Sequence, residues 1–393
     1  MTTTRDHRAT TVAAGRAVAA GAADGTVAAA GPAGGAADGL TAGPADAAGP
    51  ADAAGPADAA GAADGADRAA VDPRPALLDV DGLTVRFQLR DAVVHAVTDL
   101  RLTVRPGELL AVVGESGCGK SVLAHALLGL LPGNATVSGH ARLSPPGGEQ
   151  IDLAGCTERR LARAVRGRAV GLVPQSPATA LTPVRTGRRL LVETLRAHGH
   201  ARRDAPAAAE RLAADVGLDP ADLDRYPHEL SGGMAQRLAT ALALAPDPPL
   251  LLADEPTTGL DRPLVDHTLD LLRRRCDAGS AVLLITHDLA AARRVADTVA
   301  VMYASRIVER RPTGALFDAP AHPYTAGLLD ALPERAFRPV PGHPPMLTDL
   351  PAGCAFAPRC DRATDICRTP PAPGTDGPEH VACHHPLPIG VPA

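Results

Sequence analysis

The sequence predicts an α/β fold in which a parallel β-sheet, covered by helices on both faces, follows an antiparallel β edge. Five short, unbroken apolar runs separated by helical stretches indicate strands that are buried on both faces: 109–113, 169–173, 250–253, 281–285 and 299–302. Upstream of these runs, apolar and polar residues alternate over 83–90 and again over 100–104. This alternation with a period of two is typical of half-buried strands, which form the antiparallel edge.

The first 75 residues differ from the rest of the chain. They contain 29 Ala, 12 Gly and a single Leu, and the unit Ala-Gly-Pro-Ala-Asp-Ala occurs three times in tandem over 42–59. Such a segment has too little large apolar surface to offset the entropy of ordering it. It also lacks the compact apolar stretch behind a basic start that marks a secretory signal. Residues 1–75 are therefore predicted to be a disordered low-complexity tail of a protein that is not exported.

Composition narrows the function classes. The 393 residues have a net charge of −5, so a protein that binds nucleic acid through a basic face is not expected. No run approaches the roughly 18–20 apolar residues needed to span a bilayer, which argues against an integral membrane protein. Among the 39 basic residues only Lys120 is a lysine, although arginine is abundant. A compact ammonium group at that position therefore indicates a specific requirement.

The lone lysine lies in a phosphate-binding loop. The run 109–113 leads into Gly-Glu-Ser-Gly-Cys-Gly-Lys-Ser (114–121), and a helix with apolar residues on one face follows. This order of strand, glycine-rich loop and helix has the G-x-x-x-x-G-K-S spacing. Glycines let backbone N–H groups converge on phosphates at a helix N-terminus, Lys120 reaches the β- and γ-phosphates, and Ser121 ligates Mg²⁺. The whole loop is predicted to bind ATP: Gly114, Glu115, Ser116, Gly117, Cys118, Gly119, Lys120 and Ser121.

An acidic pair ends the apolar run 250–253. Asp254 is placed to hold Mg²⁺ through its coordination shell, and Glu255 is placed to orient and polarise the attacking water. On its own, the pair could also be two carboxylates that face solvent at the end of a strand.

The segment Leu-Ser-Gly-Gly-Met-Ala-Gln-Arg (230–237) begins a helix upstream of the acidic pair. Here the chain resembles the ATP-binding subunits of ABC transporters, whose signature reads Leu-Ser-Gly-Gly-x-x-Gln-Arg. The resemblance implies a P-loop NTPase fold with a RecA-like parallel sheet core, an antiparallel β subdomain and an α-helical signature subdomain. It also implies that Ser231 and Gly233 bind the γ-phosphate of ATP held by the opposite subunit. The Ser-Gly-Gly segment lies at the start of a helix, and a helix N-terminus binds anions. It is therefore a second phosphate-binding position besides the loop 114–121.

Further motifs follow in the order of that family. By resemblance, Gln175 senses Mg²⁺ and the water and links to the transmembrane partner, and Asp261 is the aspartate between subunits. His287 matches the switch histidine that contacts the γ-phosphate, which makes Gln175, Glu255 and His287 the predicted catalytic group. Phe87 is the one aromatic residue upstream of the loop, and we assign it to the adenine ring.

The C-terminal region contains four of the seven cysteines: Cys354, Cys360, Cys367 and Cys383. Their spacing is not the paired C-x-x-C of a zinc ribbon, and four thiolates suit either an iron–sulfur cluster or Zn²⁺. Free structural cysteines remain the alternative. The segments His-Pro-Tyr (322–324) and Gly-Cys-Ala-Phe-Ala-Pro-Arg-Cys (353–360) resemble the extension of oligopeptide, dipeptide and nickel importer ATPases. Some members of that family bind a [4Fe–4S] cluster through four such cysteines, and the resemblance implies the same here.

The sequence thus predicts an ABC ATPase domain over 76–319 and a Cys-rich oligopeptide-transporter-type extension over 320–393. The expected protein hydrolyses Mg·ATP at the cytoplasmic face of the membrane, as a peripheral subunit of a peptide importer. The expected partners are a second ATPase subunit, identical or paralogous, two permease subunits and, indirectly, an extracellular solute-binding protein, with no nucleic acid. An importer of nickel or another small solute is the alternative. A soluble ABC ATPase acting on nucleic acid or the ribosome is the rival class.

Overall fold

The computed structural model describes residues 74–372 and 379–388. The prediction of a disordered tail over 1–75 therefore falls, apart from its last two residues, outside the described residues.

The strands form two sheets. A four-stranded antiparallel sheet has the order β2-β1-β4-β5, and a seven-stranded sheet has the order β11-β10-β9-β3-β8-β7-β6. In the larger sheet, β6, β7, β8, β3 and β9 run parallel, while β10 and β11 are antiparallel additions at one edge. The strands are β1 (Leu78–Gln88), β2 (Val93–Val104), β3 (Leu109–Val113), β4 (Ala135–Leu143), β5 (Ile151–Asp152), β6 (Val170–Val173), β7 (Leu250–Asp254), β8 (Ala281–Ile285), β9 (Thr298–Tyr303), β10 (Arg306–Pro312) and β11 (His380–Val381).

The five apolar runs of the sequence are the five parallel strands, so the predicted sheet core and its antiparallel edge are confirmed. Residues of β3 alternate between two apolar clusters: Leu109, Ala111 and Val113 pack on one side, and Leu110 and Val112 on the other. A strand that contributes to cores on both faces must be apolar throughout, which is why these runs are unbroken rather than alternating.

The helices connect the strands and cover the larger sheet. They are α1 (Lys120–Leu127), α2 (Glu158–Arg160), α3 (Pro177–Ala180), α4 (Gly187–Ala197), α5 (Ala205–Asp215), α6 (Gly232–Leu244), α7 (Arg262–Asp277), α8 (Leu289–Val295), α9 (Thr313–Asp318) and α10 (Pro323–Asp330), with a π-turn at Leu161–Val165 and 3₁₀ turns at Pro220–Asp224, Pro227–Glu229, Ala357–Arg359 and Asp365–Arg368. The insertion between β6 and β7 contains α3 to α6 and two of the 3₁₀ turns, joined by loops and without a strand. It is the expected α-helical subdomain.

Two apolar residues do not take the positions that the sequence pattern indicates. The alternation over 83–90 predicts that Leu89 lies on the apolar face of the first strand, but β1 ends at Gln88 and Leu89 is 52% exposed. The helical pattern after the loop predicts that Leu130 lies on the apolar face of that helix, yet Leu130 is 46% exposed. The reason is that α1 ends at Leu127 and Gly129 adopts a left-handed φ of 61°, which turns the chain away.

The segment after residue 319 packs into the same core as the parallel sheet. Tyr324 and Leu329 of α10, together with Phe356, belong to the apolar cluster that contains alternate residues of β3. Farther along, β11 extends the large sheet by pairing with β10, with Glu309 opposite Val381. Across residues 74–372 and 379–388, none of the helices combines the length and apolar character that a bilayer-spanning segment needs.

Candidate nucleotide-binding site

The glycine-rich loop connects β3 to α1, as the sequence predicts. Gly119 caps α1 with a φ of 110°, a conformation that side chains of L-residues rarely adopt. A Cβ on this residue would lie 1.9 Å from the backbone oxygen of Ala96 in β2. The loop thus passes so close to the neighbouring strand that only glycine fits there.

Lys120 begins α1 and is buried inside the loop. Its Nζ donates to the backbone oxygens of Gly114 at 2.8 Å and Glu115 at 2.9 Å. These carbonyls hold the ammonium group among the glycines, where phosphates are bound in loops of this sequence pattern. Beside it, burial raises the pKa of the Cys118 thiol, an effect that the nearby Lys120 opposes. Cys118 is therefore a protonated, small loop residue at neutral pH.

Ser121 and the end of β7 form the predicted magnesium group. The Ser121 hydroxyl donates to Asp254 Oδ1 at 2.9 Å, which joins two positions 133 residues apart in the chain. The Asp254 side chain is buried, and this burial raises the pKa of its carboxyl group, while the Ser121 hydrogen bond lowers it. A buried carboxylate beside a hydroxyl provides the oxygen ligands that Mg²⁺ prefers, so these residues fit the ion.

Glu255 and His287 form a second polar pair at the ends of β7 and β8. Glu255 has a left-handed φ of 48°, and its backbone N–H donates to the Ile285 carbonyl at 2.8 Å. The Glu255 carboxylate lies 2.8 Å from His287 Nδ1. This carboxylate is buried, whereas the histidine side chain is 64% exposed. A non-glycine residue with positive φ indicates a strained backbone, and such strain concentrates at functional sites.

One cavity brings these elements together. Its volume is about 330 Å³, and its wall includes Ser116, Gly117, Gly119, Lys120 and Ser121 of the loop, as well as Gln175, Glu255 and Phe87. The structure thus places Gln175, from the end of β6, and Phe87, from β1, on the same cavity as the loop. The volume is in the range of pockets that bind cofactor-sized ligands.

Five predicted residues do not line the cavity themselves but belong to the loop or bond to a lining residue: Gly114, Glu115, Cys118, Asp254 and His287. The other three that do not line it are Ser231, Gly233 and Asp261. Ser231 is exposed and caps α6, its hydroxyl accepting from the Met234 N–H at 3.3 Å. Gly233 follows in the first turn of α6. Asp261 is exposed and caps α7, with its carboxylate accepting from the Leu264 N–H at 3.3 Å. The signature end of α6 therefore presents its groups to the outside rather than to the loop of the same chain.

Two residues at the site were missed by sequence reasoning. Gln236 is buried, and its side-chain amide donates to the Pro174 carbonyl at 3.1 Å, which ties α6 to the residue before Gln175. Leu347, from the proline-rich stretch of the C-terminal region, lines the cavity that also contains Phe87. The signature motif contains Gln236, so its position was a usable signal. Nothing in the local pattern around Leu347 points to the site.

The four C-terminal cysteines lie near one another. The thiol pKa of Cys354, Cys360 and Cys383 is raised, chiefly by burial and to a smaller extent by neighbouring thiols of the same set. All four are free thiols, and within residues 74–372 and 379–388 no group of three or more His, Cys, Asp or Glu side chains is arranged to hold a metal ion. The described residues therefore do not support the iron–sulfur or zinc prediction.

The loop, the acidic pair at the end of β7 and the outward-facing signature helix together define the ATP-binding cassette of ABC transporters. The sequence matches the ABC transporter family over residues 97–258 and the C-terminal region of oligopeptide/dipeptide transporters over 308–367. The chain therefore belongs to the ABC transporter family, in the branch whose members carry the oligopeptide/dipeptide transporter C-terminal region.

Individual relatives from the same family are similar to this chain over most of their length. A peptide import ATP-binding protein of Brucella abortus is 40% identical over 324 residues, which cover 78% of this chain and 96% of the relative. The oligopeptide transport ATP-binding protein OppD of Haemophilus influenzae is 40% identical over 304 residues, which cover 75% of this chain and 92% of the relative. Among solved structures, a dimeric ATP-binding cassette bound to ADP and phosphate aligns with a TM-score of 0.55 and 23% identity, covering 60% of this chain and 98% of that one. At that identity the likeness establishes the fold alone.

Proposed function

We propose that this chain is the ATP-hydrolysing subunit of an ABC importer of peptides. The observation that carries the proposal is the cavity that combines Lys120, Ser121, Gln175 and Glu255. The proposal is supported because these side chains supply the groups that the reaction needs: a cation for phosphates, oxygen ligands for Mg²⁺ and a carboxylate for water.

Each residue of the site has a distinct role in the proposed reaction. The backbone N–H groups of the loop 114–121 and the Lys120 ammonium bind the phosphates, and Phe87 packs on the adenine ring. Ser121, Gln175 and Asp254 would hold Mg²⁺, which would neutralise charge on the phosphates. Glu255 accepts the proton of the attacking water, while His287, hydrogen-bonded to Glu255, contacts the γ-phosphate.

The exposed ends of α6 and α7 support a dimeric arrangement. Ser231, Gly233 and Asp261 lie outside the cavity of their own chain, and in a dimer they serve ATP held by a second ATPase subunit. Peptides pass through two separate permease subunits, with an extracellular solute-binding protein upstream. The subunit sits peripherally at the cytoplasmic face of the membrane. The names of the relatives, which denote peptide and oligopeptide transport, support the choice of substrate.

The iron–sulfur cluster or zinc ion at the four cysteines has no part in this proposal, because the described thiols do not form a metal-binding group. Iron, sulfide and zinc analysis of anaerobically purified protein tests that prediction separately. A stoichiometric metal content would restore it.

The test of the function uses Glu255→Gln in the full chain, assembled with its permeases in vesicles. We expect ATP binding to be preserved and turnover to fall by about 100-fold or more, as for a lost general base. Glu334→Gln, at an exposed glutamate, is the matched control and should hydrolyse ATP at the wild-type rate. Uptake of labelled peptides, competed with unlabelled peptides and separately with nickel, identifies the substrate class. Near-normal ATPase activity of Glu255→Gln, or uptake insensitive to peptides, would refute the proposal.

A further inference from the structure

The C-terminal region contacts the phosphate loop through Arg359. This arginine ends the 3₁₀ turn Ala357–Arg359, 244 residues after Glu115 in the loop. Its Nη1 donates to Glu115 Oε2 at 2.9 Å and its Nη2 to Glu115 Oε1 at 3.1 Å. The two parallel bonds form a bidentate pair, the strongest arrangement between a guanidinium and a carboxylate. Only 4% of the Arg359 side chain is exposed.

Arg359 is itself held in one position. Its Nε donates to the Pro341 carbonyl at 2.7 Å, and its guanidinium lies over the rings of Tyr303 and Phe356, 5.6 and 5.8 Å from their centroids. A guanidinium fixed on three sides has little rotamer freedom left to lose when it pairs with Glu115. The pair is therefore built into the fold and differs from a mobile surface ion pair.

A second residue of the C-terminal region holds the backbone of Glu115. The Glu115 N–H donates to the Tyr324 hydroxyl at 3.1 Å. Tyr324 is fully buried and packs against Tyr303 and Phe356, with ring centroids 4.4 and 5.4 Å away. Arg359 fixes the side chain of Glu115, and Tyr324 fixes its main chain.

The same residue is a partner of the loop lysine, because the Glu115 carbonyl accepts from Lys120 Nζ at 2.9 Å. The contacts thus run without a break from the C-terminal region through Glu115 to the ammonium group. We propose that Arg359 and Tyr324 are positioning residues for nucleotide binding, which act through Glu115 to hold the phosphate loop and Lys120 in the shape that receives the phosphates. This inference rests on the proposed function, since it takes ATP as the ligand of the loop.

The test measures the affinity of the full chain for Mg·ATP by titration calorimetry, and KM and kcat with the assembled transporter. Arg359→Lys keeps the charge but loses the two-pronged geometry, and Tyr324→Phe keeps the packing but loses the hydroxyl. We expect Arg359→Lys to weaken binding about 10-fold and Tyr324→Phe about 5-fold, as for a charged and a neutral hydrogen bond. KM should rise by similar factors, whereas kcat should stay within about 3-fold of the wild-type value, because the contacts position the loop and take no part in the chemical step.

A matched control separates positioning from loss of stability. Arg188 makes a bidentate pair with Asp224 at 2.7 and 3.1 Å, in the helical insertion and away from the cavity. Arg188→Lys should lower the denaturation midpoint without weakening ATP binding. In a double-mutant cycle, Arg359→Lys should have little further effect on affinity once Glu115→Gln is present.

Three results would overturn the inference. The first is binding within 2-fold of wild type for both Arg359→Lys and Tyr324→Phe. The second is a full additional loss for Arg359→Lys in the Glu115→Gln background. The third is an equal loss of affinity in Arg188→Lys. In all three the wild-type chain still binds and hydrolyses ATP. A wild-type chain that fails to bind Mg·ATP would instead refute the proposed function, and this inference with it.

Discussion

Replacing Gly119 by alanine probes how tightly the phosphate loop is fitted against its neighbours. The added Cβ would lie 1.9 Å from the Ala96 oxygen and 2.9 Å from the Met302 Cε atom. The methionine can move, but the Ala96 oxygen is part of the backbone of β2. The positive φ costs about 1–2 kcal/mol for a residue with a side chain. Displacing the backbone adds about 1–3 kcal/mol, as in other overpacked sites. The expected total is roughly 2–5 kcal/mol, a large part of the stability of a typical domain.

Gly117 provides the comparison within the same loop. Its φ of 79° carries the same conformational penalty, but no atom lies within 4 Å of the position of a Cβ. Gly117→Ala should therefore cost only about 1–2 kcal/mol. The assay is urea denaturation of both variants without nucleotide, because bound ATP would add its own stabilisation. The reasoning is wrong if the two variants unfold with free energies within about 0.5 kcal/mol of each other, a difference too small for the overlap with Ala96.

Two further predictions follow from buried titratable groups. Burial, aided by the nearby His380, lowers the pKa of His322 to about 3. Between pH 6.5 and 3, His322 therefore binds a proton in the unfolded chain but stays neutral in the folded one. Stability should fall as the pH drops from 6.5 towards 3, and the His322 share of the loss is about 2 kcal/mol at pH 5. His322→Asn, which retains an acceptor for the Tyr324 N–H, should flatten the denaturation profile between pH 7.5 and 5 by that amount, and an unchanged profile would contradict the assignment. Burial also raises the pKa of the Cys276 thiol to about 12, whereas Cys156 is only partly buried. Iodoacetamide at pH 8 should therefore label Cys156 at least about 100-fold faster than Cys276 in the native protein, and equal labelling by mass spectrometry would show that the C-terminal end of α7 opens readily.

The sequence alone predicts the parts of the fold that depend on local patterns. The five parallel strands appear within one or two residues of the expected positions, because a strand buried on both faces must be a short apolar run. The loop and the acidic pair are equally local, since their chemistry requires fixed residue types at fixed spacings. The exposed positions of Leu89 and Leu130 show the limit of periodicity, which does not mark where an element stops.

Contacts between distant segments could not be predicted in this way. Arg359 lies in a proline-rich stretch without periodicity, and only the folded chain brings it to Glu115. Leu347 reaches the cavity because its carbonyl accepts from the His95 N–H of β2 at 2.9 Å, a contact that crosses about 250 residues. The four cysteines illustrate the reverse case: their clustering in the sequence predicted a metal group that the described residues do not form.

The phosphate loop is held from several directions by residues that touch no phosphate. The Ala96 backbone of β2 limits Gly119, the Ser305 N–H donates to the Cys118 carbonyl at 3.1 Å, and Arg359 and Tyr324 hold Glu115. Changes at these positions alter the shape of the loop before any ATP arrives, so they should appear as weaker binding. Glu255 also lines the cavity but belongs to the end of β7 and not to the loop, and a change there should leave binding intact and slow the chemical step. We expect KM effects from the first group and kcat effects from Glu255, because the first group contacts only the loop whereas Glu255 is the proposed partner of the attacking water.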